Sequence, residues 1–357
     1  MSLSAAVRRF LCSLLCRWFR AEALSAEELR QRWQRARRCL LLCGAGIGDA
    51  IMALPLLQVL RQRLPELQLA VVTRAHLRSL FLPFPQLSVL SYREGWSSLP
   101  AFIHLLWQCW RFRADVFLGA QPANTIRHSL IAVASRAQLR LKHVYNSGIR
   151  SGRDLSCLYH CLVAAPPQRH RVELNLDLLR TVGEDIPEGS FYPTYPVPES
   201  ARRRAAQLLP GDIPRIALHP GSGRAEKRWP IEGFLSLAQR LQQSGYHLVL
   251  FGGPEERSLT ARLRATLGKA VEDFTGKTDL PETAALLQRC LLLISNDSGI
   301  MHLAAAVGVP VIALFLRTDP AHIGPYTPAA IVLCAQGGDG LTVEDVLRAV
   351  AQVVPLT

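Results

Sequence analysis

The sequence predicts an α/β protein made of two Rossmann-like lobes, each a parallel sheet between helices, facing one another across a cleft. Three observations predict it. Apolar strand-like runs alternate with helix-period segments from Cys39 to Val353, as parallel sheets with crossover helices require. The alternation is broken once, by prolines at 187, 193, 196, 198, 210 and 214, which read as an interdomain connection. The length, 357 residues, suffices for two domains of ordinary size.

In the first lobe, short apolar runs bounded by polar or turn residues place strands at Cys39–Cys43, Leu69–Thr73, Leu87–Ser91, Asp115–Gly119 and Gln138–Lys142. Helical periodicity fills Asp49–Arg63, Leu99–Phe112 and Ala123–Ser135. Residues 145–170 resist assignment and read as a flexible, substrate-facing stretch. A short helix is expected near Glu199–Leu208. The alternation then restarts with strand Arg215–His219, helix Ile231–Ser244, strand His247–Phe251, helix Glu255–Leu267, helix Pro281–Arg289 and strand Leu291–Ile294. A small-residue helix from Met301 to Val307 and an apolar run from Val309 to Leu314 complete a βαβ crossover, and Thr342–Val353 is a closing helix. The expected limits are a helical extension over 1–38, a first lobe over 39–190, a linker over 191–213, a second lobe over 214–340 and a C-terminal helix over 341–357.

A hydrophobic content of 49% with 19% charged residues excludes a disordered chain. The formal net charge is +13, of which residues 1–38 hold +6. That balance points to an anionic partner, and the scarcity of basic runs interleaved with aromatics and the lack of a nucleic-acid motif argue against nucleic acid. Nine cysteines are present, an odd number without a C-x-x-C pair; Cys157 and Cys161 flank His160 but lack a second ligand pair at zinc spacing. The reading is a reducing compartment with no structural metal. No apolar run reaches 18 residues. The N-terminus forms an amphipathic pattern, with Val7, Phe10, Leu11, Leu14, Leu15 and Trp18 on one face and Arg9, Ser13, Arg17 and Arg20 opposite. Residues 1–24 therefore either contact an anionic membrane or pack on their own domain or a partner.

Chemistry concentrates at strand ends. The first strand runs into Gly44-Ala-Gly46-Ile-Gly48-Asp49, where glycines allow close backbone approach. A dinucleotide fingerprint is excluded because Asp49 stands where a third glycine would be needed, and no G-K-[ST] exists. Asp49 is either a helix-start acid or a carboxylate that takes a proton from an attacking hydroxyl. In the second lobe, His219-Pro-Gly-Ser222-Gly with Lys227-Arg228-Trp-Pro offers N–H groups and positive charge for phosphate. Gly252-Gly253-Pro-Glu255 supplies a carboxylate for ribose hydroxyls or a helix cap. Asn296-Asp297-Ser298-Gly299 ends a strand and opens a helix, the position where α/β sheets bind anionic ligands.

Assembled, these segments resemble glycosyltransferase family 9, whose best-known members are the ADP-heptose:lipopolysaccharide heptosyltransferases. The resemblance rests on Gly46-Ile-Gly-Asp49-Ala-Ile-Met-Ala-Leu-Pro55, on the 219–230 and 252–255 blocks, and on Asn296-Asp-Ser-Gly-Ile-Met-His302, supported by Phe274-Thr-Gly-Lys-Thr278 and Thr318-Asp-Pro320. It implies a GT-B fold with the acceptor in the first lobe and a nucleotide sugar, ADP-heptose, in the second. It implies an inverting, metal-independent enzyme that uses no cofactor beyond its sugar nucleotide. Asp49 falls on the catalytic base and Gly46 and Gly48 on the acceptor-side loop. Lys227 falls on the lysine that contacts the diphosphate. Asp297 falls on the acid of the donor-sugar site, beside Ser298, Gly299 and His302, and Glu255 or Glu256 on the nucleoside-side acid. Ser222, Arg228, Gly252, Gly253 and Asn296 complete the expected donor site. The implied acceptor is an anionic glycan or glycolipid such as the lipopolysaccharide core, and the implied location is cytoplasmic, at the inner face of the inner membrane. Cys43 stands where such enzymes usually carry a basic residue, and Leu316-Arg317 replaces the usual Gly-Pro, which leaves the acceptor open. A nucleotide-sugar epimerase and a non-catalytic nucleotide-sugar-binding protein are the alternatives.

Overall fold

The computed structural model describes residues 5–93, 98–120, 125–145, 155–268, 271–335 and 340–356. The chain divides into two compact units, Met1–Ala45 with Ala53–Phe191, and Gly46–Met52 with Tyr192–Thr357. The α/β class and the two Rossmann-like sheets expected from the alternation are both found.

The first unit is built on β1 (Arg38–Leu42), β2 (Gln68–Arg74), β3 (Leu87–Tyr92), β4 (Val116–Gly119), β5 (Leu139–Tyr145) and β6 (Cys161–Ala165). They are all parallel, in the order β3-β2-β1-β4-β5-β6. Helices cover both faces, so β1 and β4 are buried almost throughout and read as unbroken apolar runs. The helix expected over Asp49–Arg63 is two helices, Ile47–Met52 and Leu54–Arg63. Pro55 causes the break. It has no N–H for the carbonyl one turn earlier, and it sits in the first turn of the second helix, where none is needed. Strand β6 falls in the stretch read as flexible. Its burial alternates because it is a sheet edge, which hides the apolar run. Residues 146–154 of that stretch lie outside the described residues.

The N-terminal segment is part of this unit. On the helix Ala5–Phe19, Cys12 is buried, and Leu15 and Cys16 pack on the core beside Phe102, Leu105 and Ile131. Trp18, expected on the same face as Leu15, is exposed, and the side chains of Val7, Phe10 and Leu11 lie outside the described residues. The helix Ala26–Gln34 opens on a Ser25–Glu28 capping box and buries Leu29 and Trp33, whose indole donates to Glu184 Oε1 at 2.8 Å. The cysteine reading needs one correction: Cys16 and Cys157 form a disulfide, with Cα atoms 5.9 Å apart. Spacing could not reveal it, since the partners are 141 residues apart and meet only because the helix folds back on the unit.

His143 on β5 is fully buried, and neither ring nitrogen has a hydrogen-bond partner among the described residues. Burial pushes its pKa from 6.5 down to about 4. Burial, then the charges of Arg140 and Arg32, bring the half-buried His160 to about 4 as well. Both rings take up a proton near pH 6.5 in the unfolded chain but only near pH 4 in the fold. Their contribution is therefore complete above pH 6.5 and drains away as pH falls towards 4, by up to about 3 kcal/mol for His143. Denaturant titrations of His143→Leu should show a flatter loss of stability over this window than the parent; an unchanged slope would refute the assignment.

The second unit repeats the plan with β7 (Arg215–His219), β8 (His247–Leu250), β9 (Val271–Asp273), β10 (Leu292–Asn296), β11 (Val311–Phe315) and β12 (Ala330–Cys334). The parallel order is β12-β11-β10-β7-β8-β9. Both sheets thus reverse direction at one place, between β1 and β4 and between β7 and β10, the doubly wound order in which ligands bind at the reversal. The core gathers Phe234, Leu237 and Leu241 from the helix Ile231–Gln243, and Val346 and Val350 from the helix Val343–Ala351. Residues read as a linker are built into this unit: Tyr195 N donates to Ala306 O at 2.9 Å, and the helix Glu199–Leu208 buries Ala201 and Ala205. The segment Gly46–Met52, expected in the first lobe, also belongs here.

Candidate active site

The site grows from register. Ser295 on β10 lies opposite His219 on β7, and Leu218 opposite Leu250 on β8, so three polar turns leave the sheet side by side. The turns after β7 and β10 flank the point where the strand order reverses.

Asn296 is fully buried and its side chain is occupied with the protein. Nδ2 donates to Pro220 O (2.8 Å) and Gly221 O (3.2 Å), and Oδ1 accepts from Trp229 N (2.9 Å). It ties the two turns together, a positioning task. Ser222 donates to Asp297 O at 2.8 Å, and Arg228 in turn donates to Ser222 O at 2.8 Å. Asp297 itself is buried, and its Oδ2 accepts from Lys227 Nζ and from Thr318 Oγ1, both at 2.6 Å. Thr318 carried no assigned role in the sequence. The signal was available, because it follows β11, the neighbour of β10.

Ser298 caps the helix Gly299–Ala306 by accepting from Met301 N at 3.4 Å. The backbone N–H groups of its first turn and the dipole give the site a positive end. Behind it runs a buried chain: Glu256 Oε2 to His219 Nε2 (3.0 Å), His219 Nδ1 to Ser295 Oγ (3.2 Å), Ser295 Oγ to Ser298 Oγ (3.0 Å). Glu256 also accepts from Gly253 N at 2.8 Å. Burial raises its pKa, but the hydrogen bonds from His219 and Gly253 and the charges of His219 and Arg228 outweigh that and leave it lowered. Of the two acids in this turn Glu256 is the buried, networked one, while Glu255 is exposed. Gly252 is fitted to Glu256, whose Oε2 would lie 2.8 Å from a Cβ there.

Asp49 enters through a close helix crossing. A Cβ on Gly299 would lie 2.6 Å from Ile47 Cβ, and one on Gly48 would lie 2.8 Å from His302 Cδ2. Only glycine permits this approach, which sets the Asp49 turn against the N-terminus of the helix Gly299–Ala306. Asp49 is half-buried, and its Oδ2 accepts from Gly46 N at 3.3 Å; His302 is buried beside Gly48. Gly46, Gly48, Asp49, Asp297, Ser298, Gly299, His302, Lys227 and Ser222 are thus brought into one region of the second unit. Among the described residues no three His, Cys, Asp or Glu side chains cluster as metal ligands would.

These features define a two-unit, doubly wound α/β protein with a cation, two carboxylates and a helix N-terminus gathered at a strand-order reversal. The chain belongs to glycosyltransferase family 9 (heptosyltransferase), whose model matches residues 129–346. Lipooligosaccharide heptosyltransferase 2 of Haemophilus influenzae is 37% identical over 131 residues, covering 35% of this chain and 38% of the relative's length. Lipopolysaccharide core heptosyltransferase OpsX of the same organism is 24% identical over 294 residues, 81% of each chain. The structure of the ADP-heptose lipopolysaccharide heptosyltransferase II of E. coli superposes with a TM-score of 0.76 at 22% identity, covering 88% of this chain and 98% of the other, a likeness of fold. Together they bear out the GT-B class expected from the motifs.

Proposed function

We propose that the protein is an inverting glycosyltransferase that moves heptose from ADP-heptose to a hydroxyl of a lipopolysaccharide core or related anionic glycan. The observation that carries this reading is the Lys227–Asp297–Thr318 cluster at the capped helix N-terminus, with the Asp49 turn packed against it. The donor diphosphate takes Lys227 from Asp297 and accepts from the first N–H groups of the helix Gly299–Ala306. Asp297, released, accepts from sugar hydroxyls. The acceptor oxygen then attacks the anomeric carbon from the face opposite the diphosphate, and its proton passes to Asp49. The old C–O bond breaks, with its electron pair leaving on ADP, and the configuration inverts. Lys227 and the helix dipole stabilise the charge growing on the leaving group. Glu256 serves the nucleoside side in this reading.

Incubation with ADP-heptose, with and without a phosphorylated core oligosaccharide, tests it. ADP release that requires acceptor, with the sugar found on the acceptor, is the expected result. An altered sugar without ADP release would show an epimerase, and binding without turnover would show a sensor; either overturns the proposal. Because the protein supplies the neutralising charge, a chelator should leave the rate unchanged, and loss of turnover restored by a divalent cation would overturn the metal-independent part.

A further inference from the structure

The helix Leu99–Phe112 of the first unit presents two apolar faces where a surface helix needs one. Its inner face buries Phe102, Leu105 and Cys109 in the core. Its outer face carries Leu99, Ile103, Trp107 and Trp110 at helical spacing, and these are 47%, 58%, 47% and 49% exposed. Single exposed apolar residues are ordinary, but four contiguous ones including two indoles mark an interaction surface.

The charges on this helix and on the helix beside it have one sign. Residues 99–113 contain His104, Arg111 and Arg113 and no acid. The neighbouring helix Ile126–Ala134 and the residues after it add Arg127 and Arg136, again with no acid up to Arg136. The Arg111 guanidinium lies 5.4 Å from the Trp107 ring centre and that of Arg136 lies 5.5 Å from the Trp110 ring centre. His104 stacks on Trp107 with centroids 5.5 Å apart. Each outer indole therefore bears a cation on its ring, a pairing of amphipathic ring and long basic side chain that suits the depth of lipid headgroups. A second copy of this chain would bring the same cations to the contact and be repelled. No described helix is long and apolar enough to cross a membrane, so contact at this face would be peripheral.

We propose that the outer face of the helix Leu99–Phe112 docks on an anionic lipid bilayer. Trp107, Trp110, Ile103 and Leu99 enter the headgroup–acyl boundary, and Arg111, Arg113 and Arg136 meet lipid phosphates. The proposal is independent of the catalytic reading. It also differs from contact through residues 1–24, where Trp18 and Phe19 are the exposed large apolar side chains among the described residues.

Sedimentation of the full chain with vesicles tests it. The parent should bind vesicles of phosphatidylglycerol and phosphatidylethanolamine and bind phosphatidylcholine vesicles much less. Trp107→Ser with Trp110→Ser should lower partitioning about tenfold or more. Arg111→Gln with Arg136→Gln should lower it about tenfold on the anionic vesicles alone and make it less salt-sensitive. Trp18→Ser with Phe19→Ser should bind as the parent does. Unchanged melting temperatures show that a loss is not a folding defect, and the arginine pair, which fills no core position, keeps the test decisive if the tryptophan pair unfolds. The proposal is overturned if the parent ignores anionic vesicles, if the Trp107/Trp110 variant binds like the parent, or if the loss is confined to the Trp18/Phe19 variant. It is equally overturned if the parent self-associates without lipid and the Trp107/Trp110 variant does not.

Discussion

Asp49→Asn is expected to slow transfer by about 10²–10⁴ while ADP affinity stays within about twofold of the parent, since a general base contributes that much and the nucleotide is held elsewhere. Asparagine is the informative choice. Its amide oxygen can still accept from Gly46 N, so the turn at the Gly48–His302 crossing keeps its hydrogen bond and its packing. The ability to take a proton is lost, together with the negative charge. The checks are steady-state turnover across pH and calorimetric titration with ADP. Near-full turnover by Asp49→Asn would sink the proposed role.

The second large effect is expected at Lys227. Lys227→Met removes the cation that neutralises Asp297, a carboxylate that is only 7% exposed. Two consequences separate by measurement. Stability should fall by about 1–3 kcal/mol, because among the described residues a buried carboxylate then retains only the Thr318 hydroxyl as a bonded side chain. Transfer should fall by about 10²–10³, because a charge aimed at the leaving diphosphate is gone. The double variant Lys227→Met with Asp297→Asn should recover most of the stability, since no unpaired charge remains, but none of the activity. Recovery of activity in the double variant would mean that the pair is structural only, and an undiminished melting temperature in the single variant would mean that it is energetically idle.

The central strands were legible in the sequence for a simple reason. Strands β1, β4, β7, β10 and β11 are buried almost completely and must be apolar at successive positions. Strands β6, β9 and β12 were not anticipated, and all three are sheet edges. An edge strand is partly wet, so its pattern is broken, and β9 has only three residues. The disulfide was invisible for a different reason, being a contact across 141 residues.

Within the site, residue identity and position diverged. Lys227, Asp297, Ser298 and Asp49 were named from strand-end chemistry, because a charged or hydroxyl side chain at a helix start has few uses. That Asn296 binds loops, that Glu256 and not Glu255 joins His219, and that Thr318 completes the Asp297 cluster depended on register and on side chains meeting across three strands. The outward aim of Trp107 and Trp110 likewise required knowing which face of their helix the core had taken. Local pattern thus specifies which groups stand at the strand ends, since burial on both faces dictates where strands run and stop. Pairing among those groups arises only when distant strands align, because a hydrogen bond depends on ångström-scale geometry that no linear spacing encodes.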